Sequence, residues 1–275
     1  MDNRITIEVI DGIADVRLVR SNKMNALDSS MFSAITEIGE KLCNLPEVRV
    51  VVLSGTGKAF CAGMDMGNFS NMVADGDPKK DSSDQSRPEP EPFATRSHGI
   101  ANHFQHAVWM WRDLPMPVIA AVHGVAFGGG FQIALGADIR YAAPDTRFSI
   151  MEIKWGLVPD MASTQLMRHL AREDIVRELS YTGRIFSAQE ALEYGFVTRI
   201  VDDPLALAFD TAREIATKNP QAIRGNKQLF NAAHYLSAEA GLLMESEIQD
   251  SVMGTPNQKE AVAAVLDKRS ANFID

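Results

Sequence analysis

Apolar and polar residues alternate at the start of the chain in a way that predicts a β-hairpin. Residues 5–9 alternate between the two classes and are rich in β-branched side chains. Asp11 and Gly12 then form a turn signal, and residues 13–19 are predicted to be the second strand.

A helix is predicted after the hairpin, because apolar residues recur every three or four positions behind a residue that can cap a helix. The cap is Asp28, and the apolar positions are Met31, Ile35, Ile38 and Leu42. Residues 48–53 then form a continuous apolar run, which is typical of a strand covered on both faces. This strand–helix–strand order predicts an α/β core.

The same alternation continues through the middle of the chain. Helices are predicted over residues 100–112 and 129–135, and strands over residues 118–122 and 138–142. Beyond residue 203 every strongly periodic segment is helical, over residues 205–218, 221–235, 238–251 and 257–269. We therefore expect an α/β core over 1–201 and a helical C-terminal region over 202–275.

Residues 70–97 interrupt this regular pattern. They are rich in Asp, Ser and Lys and contain the run Arg87-Pro88-Glu89-Pro90-Glu91-Pro92, a composition from which no core can form. We interpret them as a mobile surface insert in the core. A lid over a site and an inert solvated loop are equally compatible with this composition.

The amino-acid composition limits the kinds of molecule that the protein is expected to bind. The chain has 275 residues, 45% hydrophobic and 23% charged, with a net charge of -9. This balance is that of a globular protein, and the negative charge argues against binding nucleic acid or an anionic membrane. Two cysteines make no disulfide framework, and neither an apolar leader nor a membrane span is evident. The expected location is cytoplasmic.

Two glycine-containing segments carry the candidate chemistry. Residues 58–66 follow the apolar run at 48–53, and the three glycines at 128–130 follow the run at 118–122. Both are strand-to-turn transitions, where backbone N–H groups can point into a crevice. Glycines allow close approach to a ligand, and the helix that begins at the second segment offers unpaired amides and a positive end. These features suit the binding of an anion.

The two segments, with others in the same order, resemble the crotonase (enoyl-CoA hydratase/isomerase) superfamily. The matching stretches cover nearly the whole chain and are residues 25–27, 58–65, 121–130, 136–142, 182–184 and 188–197. The resemblance implies an α/β fold, a spiral of ββα units with a C-terminal helical trimerisation region. It also implies an acyl-CoA thioester substrate, no separate cofactor or metal, and a homotrimer or dimer of trimers.

By motif position, the resemblance implies an oxyanion hole made by the backbone amides of Met64 and Gly129. Removing a proton beside a thioester, or adding to its β-carbon, places negative charge on the thioester oxygen. Two prepositioned donors lower such a barrier, and losing one typically costs about 3 kcal/mol.

The residues available as acid or base help to decide between hydration and double-bond isomerisation. Hydratases of the family use two glutamates, and the corresponding positions here are Gln132 and Glu152. An amide orients a substrate or a water but is neither an acid nor a base. Glu152 alone can take a proton from one carbon and return it to another, as the family's isomerases do. We therefore favour a double-bond isomerase and keep a hydratase, a lyase, as the alternative.

A second carboxylate, Asp160, lies eight residues after Glu152. Dienoyl-CoA isomerases of the family have a Glu and an Asp at this spacing, although they also carry an acid at the position of Gln132. Two carboxylates can shuttle a proton across a longer conjugated system, one as base and one as acid. The alternative is that Asp160 caps a helix that begins near Ala162.

The remaining site residues are expected around the substrate. We expect Gln132, Met66, Phe127 and Trp155 to shape the acyl pocket. Binding of CoA is assigned by resemblance to Lys58, Ala59, Phe60, Cys61 and Ala62, with Lys23, Lys227 and Lys268 as phosphate contacts. Packing is the expected role of the Cys61 thiol.

Three further functions stay open as weaker alternatives. A hydrolase of the same fold would need a histidine at the substrate, and His98, His103 and His106 flank the insert. A non-catalytic acyl-CoA binder is disfavoured by the presence of Glu152 and Asp160. The net charge of -9 disfavours RNA binding.

Overall fold

The structure, a computed structural model, describes residues 4–65, 67 and 92–275. Elements are numbered in chain order within these residues. The strands are β1 Ile5–Ile10, β2 Ile13–Leu18, β3 Val50–Gly55, β4 Val118–Val122, β5 Val125–Phe127, β6 Ile139–Ala142, β7 Arg147–Ser149, β8 Phe186–Ser187 and β9 Arg199–Ile200. The α-helices are α1 Ser29–Cys43, α2 His103–Asp113, α3 Gly129–Gly136, α4 Ser163–Met167, α5 Glu173–Thr182, α6 Ala188–Tyr194, α7 Pro204–Ala216, α8 Pro220–Ala233, α9 Ala238–Val252 and α10 Pro256–Leu266.

The main sheet has six strands in the order β1-β2-β3-β4-β6-β9. Strands β1 and β2 form the predicted antiparallel hairpin, and the other neighbours are parallel. A smaller sheet pairs β5 parallel with β7 and β7 antiparallel with β8. The carboxyl ends of β3 and β4 therefore lie together, and the loops that follow them form the candidate site.

Both faces of the main sheet are covered, which explains the continuous apolar runs. Val51 and Leu53 of β3 point into the larger core, which also contains α1, α2 and α3. Val50 and Val52 point to the opposite face, where α7 packs through Ala208. Alternate residues of a strand point to opposite faces, so a strand covered on both faces is apolar throughout.

Side-chain caps fix the starts of several helices. The carboxylate of Asp28 accepts a hydrogen bond from the Met31 amide over 2.8 Å, as predicted for α1. Asn102 and Gln105 cap α2 reciprocally, so this helix begins three residues later than predicted. Pro204, Pro220 and Pro256 stand at the first position of α7, α8 and α10.

The last two helices leave much apolar surface exposed. Every residue of α9 is at least partly exposed, with Leu242 at 64% and Leu243 at 58%. On α10, Val265 and Leu266 are 77% and 76% exposed. Among the described residues, no helix is long and apolar enough to cross a membrane.

Candidate active site

Two loops that follow β3 and β4 run side by side and form one wall of the site. The amide of Phe60 donates to the carbonyl of His123 over 2.9 Å, and the amide of Cys61 donates to that of Val125 over 3.1 Å. The amide of Phe127 in turn donates to the carbonyl of Cys61 over 3.1 Å. The two glycine-containing segments predicted to act together therefore lie together.

Met64 is held by a short backbone pairing with Leu27. The amide of Leu27 donates to the carbonyl of Gly63 over 2.8 Å, and the amide of Asp65 donates to the carbonyl of Leu27 over 3.0 Å. In such a pairing the residues on either side of Met64 make the bonds, so its own amide is directed away from Leu27.

Gly63 explains how closely the two loops approach. Its φ of +86° lies in the left-handed region. A β-carbon at this position would lie 2.6 Å from the carbonyl oxygen of Phe127 and 3.7 Å from the amide nitrogen of Gly129. Any side chain here would push the first loop away from the start of α3.

The start of α3 lies directly against a buried carboxylate. Gly128 precedes the helix with a φ of +49°, and a β-carbon there would lie 3.2 Å from Oε1 of Glu152. Gly129 is the first residue of α3, where a backbone amide has no partner within its own helix. The glycines thus bring a helix start and the candidate base into contact.

A cavity of about 60 Å³ lies where the two candidate amides meet the candidate carboxylates. Its lining residues are Leu27, Met64, Gly129, Glu152, Trp155, Leu157, Asp160 and Met161. A water molecule occupies about 30 Å³ in the liquid, so this cavity holds only a few heavy atoms. The predicted catalytic and oxyanion-hole residues therefore share one small space, and Trp155 forms part of its wall.

Asp160 also lines a larger neighbouring cavity of about 590 Å³. Ile100, Ala101, Trp109 and Tyr235 are among the residues that line it. This volume is in the range of sites for small molecules. Asp160 thus stands between a compartment sized for reacting atoms and one sized for a larger group.

Glu152 is a buried carboxylate with only one of its oxygens satisfied. The side chain of Gln132 donates to its Oε1 over 2.6 Å, whereas Oε2 has no hydrogen-bond partner among the described residues. Burial raises the pKa of Glu152, the negative charge of Asp160 adds to the rise, and the bond from Gln132 opposes it. Such an oxygen is suited to accepting a proton from a bound molecule.

Gln132 corrects one prediction, because it contacts Glu152 and does not line the cavity. It is 1% exposed, and its own Oε1 accepts a hydrogen bond from the Met161 amide over 2.9 Å. Both ends of the side-chain amide are therefore engaged with the protein. Gln132 orients Glu152 and anchors the loop that carries Asp160, and it is not among the residues that line the cavity.

Asp160 does not cap a helix, so that alternative is wrong. The helix that follows is α4, whose capping residue is Ala162, with no side-chain cap. The carboxyl of Asp160 faces solvent on one side, and the surrounding atoms desolvate it enough to raise its pKa. Freed from a capping role, Asp160 is available to a ligand of either cavity.

Lys227 is a second correction, because it cannot reach a phosphate. It is 7% exposed, and its ammonium group donates to the carbonyls of Trp111 and Met116, each over 2.9 Å. It also forms an ion pair with Asp138 over 2.9 Å. Burial lowers the pKa of Lys227, and the bonds to Asp138 counteract that change. This lysine ties α8 to the core.

The other predicted CoA contacts divide into exposed and buried residues. Lys23, Lys58 and Lys268 are exposed and accessible to a phosphate. Ala59, Phe60 and Cys61 are fully buried, so neither their side chains nor their backbone are open to a ligand in this structure, while Ala62 is partly exposed.

Cys61 behaves as a packing residue. Its thiol donates to the carbonyl of Asn25 over 3.1 Å, and burial raises its pKa to about 12. A thiol that stays protonated at neutral pH is a poor nucleophile.

Several predicted residues lie away from the cavity. Phe127 contributes its carbonyl to the contact with Gly63, and its side chain is outside the cavity wall. Met66 lies outside the described residues, as does most of the 70–97 insert. Rings of His98, His103 and His106 cluster together, and none of the three lines the cavity. A histidine-dependent hydrolase therefore gains no support from the described part of the chain.

Asn25 is a site residue whose role the sequence did not reveal. It is fully buried, and its side-chain nitrogen donates to the carbonyls of Thr56, Ala59 and Phe60 at 3.0, 2.8 and 3.2 Å. These bonds hold the loop that leads to Met64. Its place in a matching stretch was the available signal, but the pattern names no partner for it.

Comparisons with known proteins agree with the fold described above. A family model described as enoyl-CoA hydratase/isomerase matches residues 8–275. The (E)-benzylidenesuccinyl-CoA hydratase of Thauera aromatica is 32% identical over 274 residues, covering 98% of each chain. The mitochondrial Delta(3,5)-Delta(2,4)-dienoyl-CoA isomerase of Homo sapiens is 31% identical, covering 93% of this chain and 80% of its own. The solved enoyl-CoA hydratase from Bacillus anthracis is 28% identical, with a TM-score of 0.82 and 98% coverage of both chains.

Proposed function

Because this chain belongs to the enoyl-CoA hydratase/isomerase family and has the crotonase fold, we propose that it moves double bonds in unsaturated acyl-CoA thioesters. The proposed substrates are 3-enoyl-CoA and, with preference, 3,5-dienoyl-CoA. The relative from Homo sapiens named as a dienoyl-CoA isomerase supports this choice. The preference for isomerisation over hydration depends on the acid–base groups around the cavity.

One observation carries the proposal, namely that the amide of Gln132 is bonded at both of its ends. It donates to Glu152, accepts from the Met161 amide and does not line the cavity, and an amide cannot serve as a second acid. The cavity is instead lined by Glu152 and Asp160 together with Met64 and Gly129, whose amides are the proposed oxyanion-hole donors. Proton transfer between carbons needs this equipment, whereas hydration also needs a held and activated water.

In the proposed reaction of a 3-enoyl-CoA, the thioester oxygen accepts hydrogen bonds from the amides of Met64 and Gly129. The Oε2 oxygen of Glu152 removes a proton from C2, and the electron pair of that bond yields an enolate conjugated with the double bond. The carboxylic acid then returns the proton to C4. The double bond moves to C2–C3 and the carbonyl reforms, so no atom is gained or lost.

A 3,5-dienoyl-CoA places the two proton-transfer carbons, C2 and C6, farther apart. One carboxylate of the Glu152–Asp160 pair takes the proton from C2, and the other gives a proton to C6. Both carboxyl groups have raised pKa values, which favours the exchange of protons between them and the substrate near neutral pH. Asp160 borders both cavities, so a tail that enters the larger one passes this residue.

The same proposal extends to the CoA contacts and to the oligomeric state. Lys58 and the backbone around Ala62 lie along the CoA moiety, with Lys23 and Lys268 near its phosphates. The exposed leucines of α9 and α10 support association with further copies of the chain, as a homotrimer or a dimer of trimers. Light scattering of the purified protein tests this assembly, and a monomer at micromolar concentration would contradict it.

Hydration of an enoyl-CoA is the second candidate, because the relative from Thauera aromatica is named a hydratase. Glu152 would then act on a water, and the second acid of that mechanism would have to be Asp160.

A paired assay separates the two functions. Purified protein is offered a 3-enoyl-CoA, a 3,5-dienoyl-CoA and crotonyl-CoA, and double-bond conjugation is followed by ultraviolet absorbance. The proposal predicts turnover of the first two and little hydration of crotonyl-CoA. Faster hydration of crotonyl-CoA than isomerisation of either other substrate would overturn the preference for an isomerase.

A further inference from the structure

The position of the Met64 amide depends on a very short piece of backbone pairing. Within the described part of the chain, two backbone hydrogen bonds join Leu27 to the segment around Met64, and they form an isolated bridge outside the named strands. Each such bond contributes about 1 kcal/mol, so the bridge alone is weak. An oxyanion hole requires donors held to a fraction of an ångström, which calls for further support.

The guanidinium group of Arg20 supplies that support from one side of the bridge. Its Nη1 donates to the carbonyl of Ala26 over 3.0 Å and to the carboxylate of Asp65 over 2.5 Å. Its Nη2 lies 3.3 Å from the carboxylate of Asp28. One planar group thus joins the residues before and after Leu27 to the residue that follows Met64.

The surroundings make this a firm connection. The side chains of Arg20 and Asp65 are each 14% exposed, so solvent screens their ion pair less than one at the surface. The Gly67 amide donates to the second oxygen of Asp65 over 2.8 Å. These two bonds, the one from Gly67 first and then the one from Arg20, lower the pKa of Asp65, which therefore stays charged at neutral pH.

We propose that Arg20 is a positioning residue for the oxyanion hole, fixing the Met64 amide by holding Asp65 against residues 26–28. The inference rests on the proposed use of that amide. Arg20 itself touches no reacting atom. Its removal loosens the bridge and weakens enolate stabilisation, while the acid–base residues stay in place.

Arg4 provides a matched control on the same network. Its guanidinium donates to both oxygens of Asp28, at 3.3 and 2.8 Å, from a side chain that is 18% exposed. Replacing Arg4 therefore removes an equally buried arginine from Asp28 while leaving the pair of Arg20 with Asp65. A purely structural role for Arg20 would make the two replacements equivalent.

The test uses acetoacetyl-CoA, a β-ketothioester whose enolate has its own ultraviolet absorbance, with the full-length protein. Arg20→Met should lower the ratio of bound enolate to bound ketone about tenfold. Arg20→Lys should restore part of the loss, because one ammonium group can still reach Asp65. Arg4→Met should change the ratio less than about twofold, with a melting temperature lowered as much as in Arg20→Met.

Asp65→Asn removes the charge of the other partner in the Arg20–Asp65 pair. It replaces Arg20→Met in the test if that variant folds poorly. It should reproduce the loss of enolate, with acetoacetyl-CoA affinity changed less than about threefold. An unchanged enolate ratio in both Arg20→Met and Asp65→Asn would overturn the proposal, as would an equal loss in Arg4→Met. The readout requires no isomerase turnover, so a failed isomerase assay would leave this test intact.

Discussion

A buried charged group lies near each end of α3. The two groups differ in how completely they are hydrogen-bonded by the protein. At the start of the helix, Glu152 has a partner on one oxygen and none among the described residues on the other. Just past the end of the helix, the ammonium of Lys227 is surrounded by Asp138 and two backbone carbonyls. The Glu152 carboxylate can therefore still accept a bond from a ligand. The Lys227 ammonium already has its bonds from the protein.

This difference separates a site residue from a structural one better than burial or residue type. A buried charge is costly unless it is paired, so a fully bonded one indicates a role in the fold. An incompletely bonded carboxylate in a cavity indicates a role towards a substrate. The comparison predicts opposite consequences for activity and stability when the two groups are replaced.

The largest expected effect is on turnover by Glu152→Gln. Loss of the proposed base should lower kcat for 3,5-dienoyl-CoA about a thousandfold. Stability should be equal or higher, because a neutral amide is easier to bury than a carboxylate. Rate measurements with thermal melts test this, and a variant with more than a tenth of the original kcat would remove Glu152 from the mechanism.

Lys227→Met should show the reverse pattern. Removing the ion-pair partner of Asp138 and the donor to two buried carbonyls should lower the free energy of unfolding by about 3 kcal/mol, with kcat of the folded protein changed less than about twofold. Urea unfolding provides the measurement. Adding Asp138→Asn should recover part of the lost stability, since no unpaired charge then remains. If Lys227→Met instead increased KM for CoA substrates without losing stability, Lys227 would again be a candidate contact for a CoA phosphate.

Gln132→Met should have a smaller effect that appears in the pH profile. The proposed base must be ionised, so kcat/KM should fall as the pH drops through the raised pKa of Glu152. The bond from Gln132 opposes that rise, so removing it should move this acidic limb to higher pH. We expect kcat to fall about tenfold at neutral pH. An acidic limb that stays in place would show that Gln132 does not tune Glu152.

The same raised pKa has a consequence for stability. Between the ordinary glutamate pKa and the raised one, the folded chain retains a proton that the unfolded chain has lost. The contribution of Glu152 to stability is therefore greatest at low pH and declines as the pH rises through this interval. Glu152→Gln should remove the decline, which melts at several pH values can detect.

The smallest expected effect comes from the exposed lysines. Lys58→Met should raise KM for an acyl-CoA about threefold without changing kcat, and added salt should reduce the difference. Kinetics at two ionic strengths test this. Unlike Lys227→Met, Lys58→Met should have the same melting temperature as the original protein.

Much of the fold was predictable, because several elements leave a strong local pattern. β3 and β4 are covered on both faces and so appear as apolar runs, and Asp28 caps α1 as its position indicated. The helices after residue 203 begin within a residue or so of their predicted starts. The strands β5, β7, β8 and β9 were not predicted, since they have two or three residues each and depend on pairing with distant segments.

The site was predictable as far as motif position determines it. Met64, Gly129, Glu152 and Asp160, which were selected by motif position, line one cavity, and their chemical roles stay predictions. The roles of Gln132 and Lys227 were not predictable, because their partners are set by tertiary packing. Lys227 reaches carbonyls more than a hundred residues away in the chain, and nothing in its own neighbourhood signals that.

The mass of the product tests whether this cavity moves protons between carbons without adding water. The enzyme is incubated with a 3,5-dienoyl-CoA in water labelled with oxygen-18, and the acyl product is analysed by mass spectrometry. We expect a product that contains no labelled oxygen and differs from the substrate only in its double bonds and exchanged hydrogens. A main product heavier by one molecule of labelled water would contradict it.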